Sequence, residues 1–187
     1  MITTSEIRKG TTFEMDGSLY QVVEVHHVKT KRSAVYRVKM RDLRAGHITE
    51  HSFNAGEKLA TARVERRDMQ YLYADEDNLT FMNTETFDQI PIARAMVGDA
   101  MPYLKESDIV QVMMFGEEPL GVELSASVEL TIEQTDPGVK GDTATGATKP
   151  ATMTTGLVVQ VPLFINQGDT IKISTETGSY LERTASA

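Results

Sequence analysis

The chain has 187 residues, 40% of them hydrophobic, and no cysteine. That is enough for one ordinary domain or roughly two to three small ones, and it excludes disulfides, thiolate nucleophiles and cysteine-based zinc sites. The formal net charge of -8 argues against a nucleic-acid partner until its distribution is read. Residues 1–64 carry 11 Lys and Arg against 7 Asp and Glu, residues 65–127 carry 4 against 13, and residues 128–187 carry 4 against 7. One basic end and an acidic middle suit a protein that meets a polyanion at one end only. No apolar run approaches the roughly 18 residues needed to cross a bilayer. The opening residues 1–6 lack the basic and apolar regions of a signal peptide, so a cytoplasmic protein with no membrane partner is expected.

In chain order, residues 11–15 and 18–28 read as strands joined by Asp16-Gly17, a dipeptide that tolerates positive φ and signals a tight hairpin. Residues 35–40 and 47–53 add strands around the Ala45-Gly46 turn, and 1–64 read as a small barrel. In 65–127, strands at 69–73 and 79–82 flank an acidic turn, and 92–97 read as a short helix stopped by Gly98. Residues 109–115 and 120–124 read as strands about a turn at 116–119. In 128–187, Val128, Leu130 and Ile132 alternate with Glu129, Thr131 and Glu133, the period of a half-buried strand. Asp136-Pro137-Gly138 ends that strand. Residues 141–155, rich in Thr, Gly and Ala, read as a long exposed loop, and strands follow at 156–165, 170–174 and 180–183. Strands at this density fit an OB-like barrel. With no long amphipathic helix anywhere, the fold class is all-β.

The hairpin between Val28 and Val35 concentrates positive charge: Lys29, Lys31 and Arg32, followed by Arg37, Lys39, Arg41 and Arg44. Two long strands would hold Lys31 and Arg32 away from the barrel, where a basic side chain can enter a phosphate-lined channel. The same residues also suit a solvated hairpin edge guarded by lysine. The four histidines form no metal constellation. His47 and His51 lie four apart on a strand, and His26 and His27 point to opposite faces. Gly141 is followed by Asp142 rather than Lys, so the glycines there do not make a nucleotide-binding P-loop. Tyr180 reads either as a core residue or as an RNA-stacking one, and Arg183 as a solvated cation. Asp75, Glu76 and Asp77 crowd one acidic turn without a partner to split their pKa values into an acid and a base.

The most specific pattern is Lys149-Pro150-Ala151 followed by Gly156, Val159, Gln160, Val161-Pro162, Ile165 and Gly168. Upstream stand Thr135-Asp136-Pro137-Gly138 and Gly141-Asp142-Thr143. Asp42-Leu43-Arg44-Ala45-Gly46 and Tyr71-Leu72-Tyr73 add to it, as does the run from Phe81 through Asn83-Thr84-Glu85-Thr86-Phe87 to Gln89. Together these resemble the bacterial elongation factor P family over essentially the whole chain. The resemblance implies a KOW/SH3-like barrel at 1–64, a central OB barrel at 65–127 and a C-terminal OB barrel at 128–187, set in an L-shaped, tRNA-like arrangement. It implies a non-enzymatic factor without cofactor or metal. Such a factor binds the 70S ribosome between the P and E sites and assists peptide bond formation at consecutive prolines.

By the same resemblance, Lys31 or Arg32 is the tip facing the CCA end of P-site peptidyl-tRNA, supported by Lys29, Ser33, Arg37 and Lys39 as RNA contacts. Gly141, Asp142 and Thr143 resemble a loop that meets an E-site mRNA codon, and Tyr180 and Arg183 resemble contacts to tRNA and the small subunit. The family's usual tip reads Lys-Pro-Gly-Lys/Arg-Gly. Here Lys29-Thr30-Lys31-Arg32-Ser33-Ala34 replaces Pro and Gly and is one residue shorter. The departure leaves three things open: which of Lys31 and Arg32 reaches, whether a modifying enzyme extends it, and whether the chain is a paralogue with different stall specificity. A general single-stranded RNA-binding OB protein is the remaining alternative. It is disfavoured by an aromatic content of only 6%.

Overall fold

The computed structural model describes residues 1–138 and 146–187. These form three sheets and divide into two compact units, Met1–Arg67 with Val112–Gly121 and Asp68–Gln111 with Val122–Ala187. The all-β expectation holds: the helical pieces span only three to six residues each. Among the described residues no helix is long and apolar enough to cross a membrane.

The first sheet contains β1 (Ile2–Thr3), β2 (Thr12–Met15), β3 (Ser18–Lys29), β4 (Ala34–Asp42), β5 (Ile48–Asn54) and β6 (Lys58–Thr61), in the order β1-β6-β2-β3-β4-β5. Asp16 (φ 51°) and Gly17 (φ 78°) make the expected tight turn, with Met15 opposite Ser18. Phe13, Val22, Val38, Met40 and Phe53 fill the inside of the curled sheet, and the Phe13 and Phe53 rings meet edge-on at 6.0 Å. The turn after β4 is built by Asp42. Its carboxylate accepts the N–H groups of Arg44 and Ala45, both at 2.8 Å, and Gly46 takes φ 78°. Arg44 then donates two parallel hydrogen bonds to the Glu118 carboxylate, at 2.9 and 3.0 Å. β1 and β6 carry no periodic apolar signal. β1 has two residues, and Leu59 is the buried residue of β6.

The second sheet contains β7 (Val64–Ala74), β8 (Asn78–Asn83), β9 (Gln89–Ala93), β10 (Ile109–Phe115) and β11 (Glu118–Glu123), ordered β11-β10-β7-β8-β9. The third contains β12 (Ser127–Thr135), β13 (Thr148–Met153), β14 (Val158–Pro162), β15 (Thr170–Ser174) and β16 (Tyr180–Ala185), ordered β14-β13-β12-β15-β16. Counted from their own first strands, both sheets run 3-2-1-4-5. This is one topology written in two unrelated sequences, and it is the strand order of an OB barrel. In the third sheet, residues Ser127 to Thr131 of β12 pair with β15, and Ile132 to Thr135 pair with β13. A bulge between Ile132 and Gln134 marks the change of partner. A bulged first strand bends and serves both halves of the curl.

Two sequence expectations are corrected. The helix expected at 92–97 is a single turn, α1 (Arg94–Val97). Ile92 belongs instead to β9, fully buried opposite Leu79, because Ile90 and Ile92 alternate across Pro91 and fit a strand better than a helix face. Gly98 (φ 55°) does end the α-helix, but the chain continues as a six-residue 3-10 helix to Tyr103. The loop expected at 141–155 contains β13, paired on both sides. Its inward residues are Lys149, Ala151 and Met153, and its outward ones Thr148, Pro150 and Thr152. A lysine and an alanine at core positions concealed the period of two. Lys149 is 6% exposed, and its ammonium donates to the Asp136 carbonyl.

Gly138 closes against Leu163, the residue just after β14. A Cβ there would lie 2.4 Å from the Leu163 carbonyl oxygen, a backbone atom that cannot swing away. Gly138→Ala is therefore expected to lower stability by about 1–3 kcal/mol, the range for overpacking. Urea unfolding of the two proteins side by side measures it, and equal midpoints would contradict the packing described.

Candidate nucleic-acid interface

β3 and β4 form the longest ladder among the described residues, running from Tyr20 opposite Asp42 to Lys29 opposite Ala34. β2 covers β3 only as far as Gln21. Val22, and Val38 opposite Val25, are still core residues, so it is the four residues from His26 to Lys29 that carry the hairpin outward, by roughly 13 Å at about 3.3 Å per residue. A third strand accompanies it. β5 pairs with β4 up to Val35 opposite Asn54, and the Ala55 N–H reaches the Ala34 carbonyl at 3.0 Å. The turn behind is anchored by buried Thr4, whose hydroxyl donates to the Asn54 carbonyl (2.8 Å) and accepts from the Gly56 N–H (3.0 Å). The arm is thus a three-stranded ribbon, stiffer than the two-stranded hairpin the sequence suggests. His27 and Tyr36, facing one another across it, stack at 4.4 Å with an interplanar angle of 2°.

Only residues 30–33 stand beyond the ribbon. Lys31 and Arg32 are both exposed and have no ion-pair partner among the described residues. The supporting cations split between two faces. Lys29 lies on the face of Tyr36 and Val38, whereas Arg37 and Lys39 share the other. Arg37 pairs with Glu50 at 3.4 Å and Lys39 with Glu24 at 3.7 Å. Both pairs are half exposed, so they are labile and exchangeable for phosphate. Among the described residues of the arm, Lys29, Lys31 and Arg32 are the uncompensated positive charge.

The expected mRNA-contacting residues Gly141, Asp142 and Thr143 lie outside the described residues. Tyr180 packs its ring against the core of the third sheet. Arg183 is held in place: its guanidinium sits 5.4 Å from the centre of the exposed Phe164 ring and 3.6 Å from the Asp169 carboxylate. Phe164 and Asp169 escaped the sequence reading. Phe164 was hidden within an apolar run, and Asp169 resembles any surface acid following a glycine.

Asp169 is 2% exposed. The N–H groups of Asn166 and Ala187 donate to its carboxylate, each at 2.9 Å, and hold its pKa below the ordinary range despite burial. A pKa lowered in the folded state contributes stability that is present above the unfolded value of about 3.9 and is lost as pH falls through the folded one. Asp169→Asn is expected to cost about 2 kcal/mol at pH 7. The gap should narrow at about pH 3, below the unfolded value of about 3.9, because the carboxylate of the unfolded wild type is then protonated. Urea titrations at the two pH values measure both, and a gap that widens in acid would contradict the assignment.

The strand orders and the basic ribbon define a protein of small β-barrels carrying a cationic reaching arm. Family models match in three consecutive blocks: the elongation factor P KOW-like domain over residues 3–59, its OB domain over 64–122, and the elongation factor P C-terminal model over 128–183. The elongation factor P of Pelotomaculum thermopropionicum is 50% identical over 98% of this chain and 100% of its own length. That of Moorella thermoacetica is 51% identical over the same shares. The chain belongs to the elongation factor P family of translation factors. Among solved structures, translation initiation factor 5A from Methanococcus jannaschii superposes on 65% of this chain and 94% of its own, with a TM-score of 0.53 at 17% identity, a likeness of fold.

Proposed function

We propose that this protein is a cytoplasmic elongation factor that binds the 70S ribosome between the P and E sites and stimulates peptide bond formation where consecutive prolines stall it. The observation that carries the reading is the ribbon ending in unpaired Lys31 and Arg32, in a chain of this family. Proline reacts poorly because its ring fixes φ and restricts the approach of the reacting groups. A cation placed against the CCA end of peptidyl-tRNA restricts the ester to reactive geometries, an entropic effect of several kcal/mol that needs no catalytic group on the factor. The chemistry stays with the ribosome, and the protein is not itself an enzyme. Lys29, Ser33, Arg37 and Lys39 contribute along the arm, and Arg183 with Tyr180 on the third sheet. Gly141, Asp142 and Thr143 meet the E-site codon on the strength of the family likeness.

The absence of cysteine makes this reading directly testable. A single thiol at Ala34→Cys carries a hydroxyl-radical probe to ribosomes stalled on three proline codons. Cleavage concentrated at the CCA end of P-site tRNA is the expected result; cleavage elsewhere on the ribosome, or none, would overturn it. The altered tip favours a second reading, a paralogue serving other stall sequences. That reading expects acceleration on non-proline stalls and none on proline ones.

A further inference from the structure

The tip is closed in a way that the sequence pattern does not announce. A two-residue hairpin loop normally needs positive φ at one or both of its central residues, which is why glycine and asparagine dominate there. Lys31 and Arg32 are absent from the described residues with positive φ. The Thr30 N–H still reaches the Ser33 carbonyl at 2.8 Å. The returning Ser33 N–H, however, goes to the Thr30 hydroxyl at 3.2 Å. That same hydroxyl donates to the Ser33 carbonyl at 2.8 Å and lies 3.0 Å from the Ser33 hydroxyl. A threonine hydroxyl has one proton and two lone pairs. With its proton on the Ser33 carbonyl, both lone pairs are taken by Ser33, through its N–H and its hydroxyl. Every hydrogen-bonding capacity of the Thr30 side chain is spent across the turn.

We propose that Thr30 and Ser33 form a positioning clamp that fixes the orientation of Lys31 and Arg32, replacing with side-chain hydrogen bonds the fixed φ that a proline would give. The inference rests on the function proposed above. Neither residue is a catalytic residue. They act through the two cations between them, which have no ion-pair partner among the described residues. A serine at position 30 keeps the hydroxyl, whereas valine keeps the shape and removes it. Because the clamp is exposed and local, its loss loosens the tip without unfolding the sheet beneath.

The experiment compares wild type, Thr30→Ser, Thr30→Val and Ser33→Ala in a purified translation system on a Pro-Pro-Pro template, with amide order parameters of Lys31 and Arg32 measured by NMR. Thr30→Val is expected to mobilise the tip amides and to lower the maximal stimulated rate about tenfold, a modest share of what misplacement by an ångström can cost. The half-saturating factor concentration should change by less than about twofold, because the arm's other cations still supply the phosphate attraction. Thr30→Ser should restore both order and rate. An active wild type with an equally active Thr30→Val, or a tip as ordered in Thr30→Val as in wild type, overturns the clamp. An inactive wild type overturns the function reading itself, and the positioning role with it, and is recognised because all four proteins then coincide.

Discussion

With both Lys31 and Arg32 replaced by alanine, the protein is expected to lose nearly all of its stimulation of Pro-Pro-Pro synthesis, a fall of about 100-fold toward the factor-free rate. The two side chains are exposed and unpaired among the described residues, so they contribute little to the fold and their removal should shift stability by less than about 0.5 kcal/mol. Activity and stability therefore separate. Arg37→Ala and Lys39→Ala make the useful contrast. These cations already face Glu50 and Glu24. Losing either one should weaken binding, most visibly as salt rises, while the saturated rate stays close to wild type. The single variants Lys31→Ala and Arg32→Ala assign the reaching role: the one that reproduces the double variant names it. A double variant that stimulates as well as wild type would show that the tip does not act.

The second large effect is on stability. Phe53→Ala is expected to cost about 3–5 kcal/mol, the range for removing a fully buried aromatic ring. Phe53 is 0% exposed, meets Phe13 edge-on and lies opposite Tyr36 on the strand that backs the arm. Its loss opens a cavity where the ribbon joins the curled sheet. Denaturant unfolding followed by amide spectra reports each compact unit separately. The resonances of Met1–Arg67 with Val112–Gly121 should move to lower midpoint first, with the remainder less affected. A uniform shift below about 1 kcal/mol would contradict the core as described.

The fold class and most strands were legible from residues alone. Strict alternation in β12 and the Asp16-Gly17 turn say directly what the backbone does. What was not legible has specific physical causes. β13 places a lysine and an alanine at inward positions, so its period of two vanished into loop-like composition. Ile92 was assigned to a helix because a short apolar run has no decisive period. The common strand order of 3-2-1-4-5 in the second and third sheets is written in no shared sequence, since topology depends on which edges pair rather than on residue identity. At the candidate interface, composition alone located the basic tip. The support from β5 could not be read, because pairing across the sheet is non-local. The Thr30 clamp was equally hidden. Its hydrogen bonds depend on the handedness of one turn, and nothing in a Thr-Lys-Arg-Ser string distinguishes a clamp from an ordinary polar loop.

The measurement that bears most directly on the central claim is the rate of Pro-Pro-Pro synthesis by purified ribosomes with and without saturating protein, beside a proline-free template of the same length. The account predicts a large acceleration confined to the proline template and abolished by Lys31→Ala with Arg32→Ala. Equal rates with and without the protein, or equal acceleration of both templates, would contradict it.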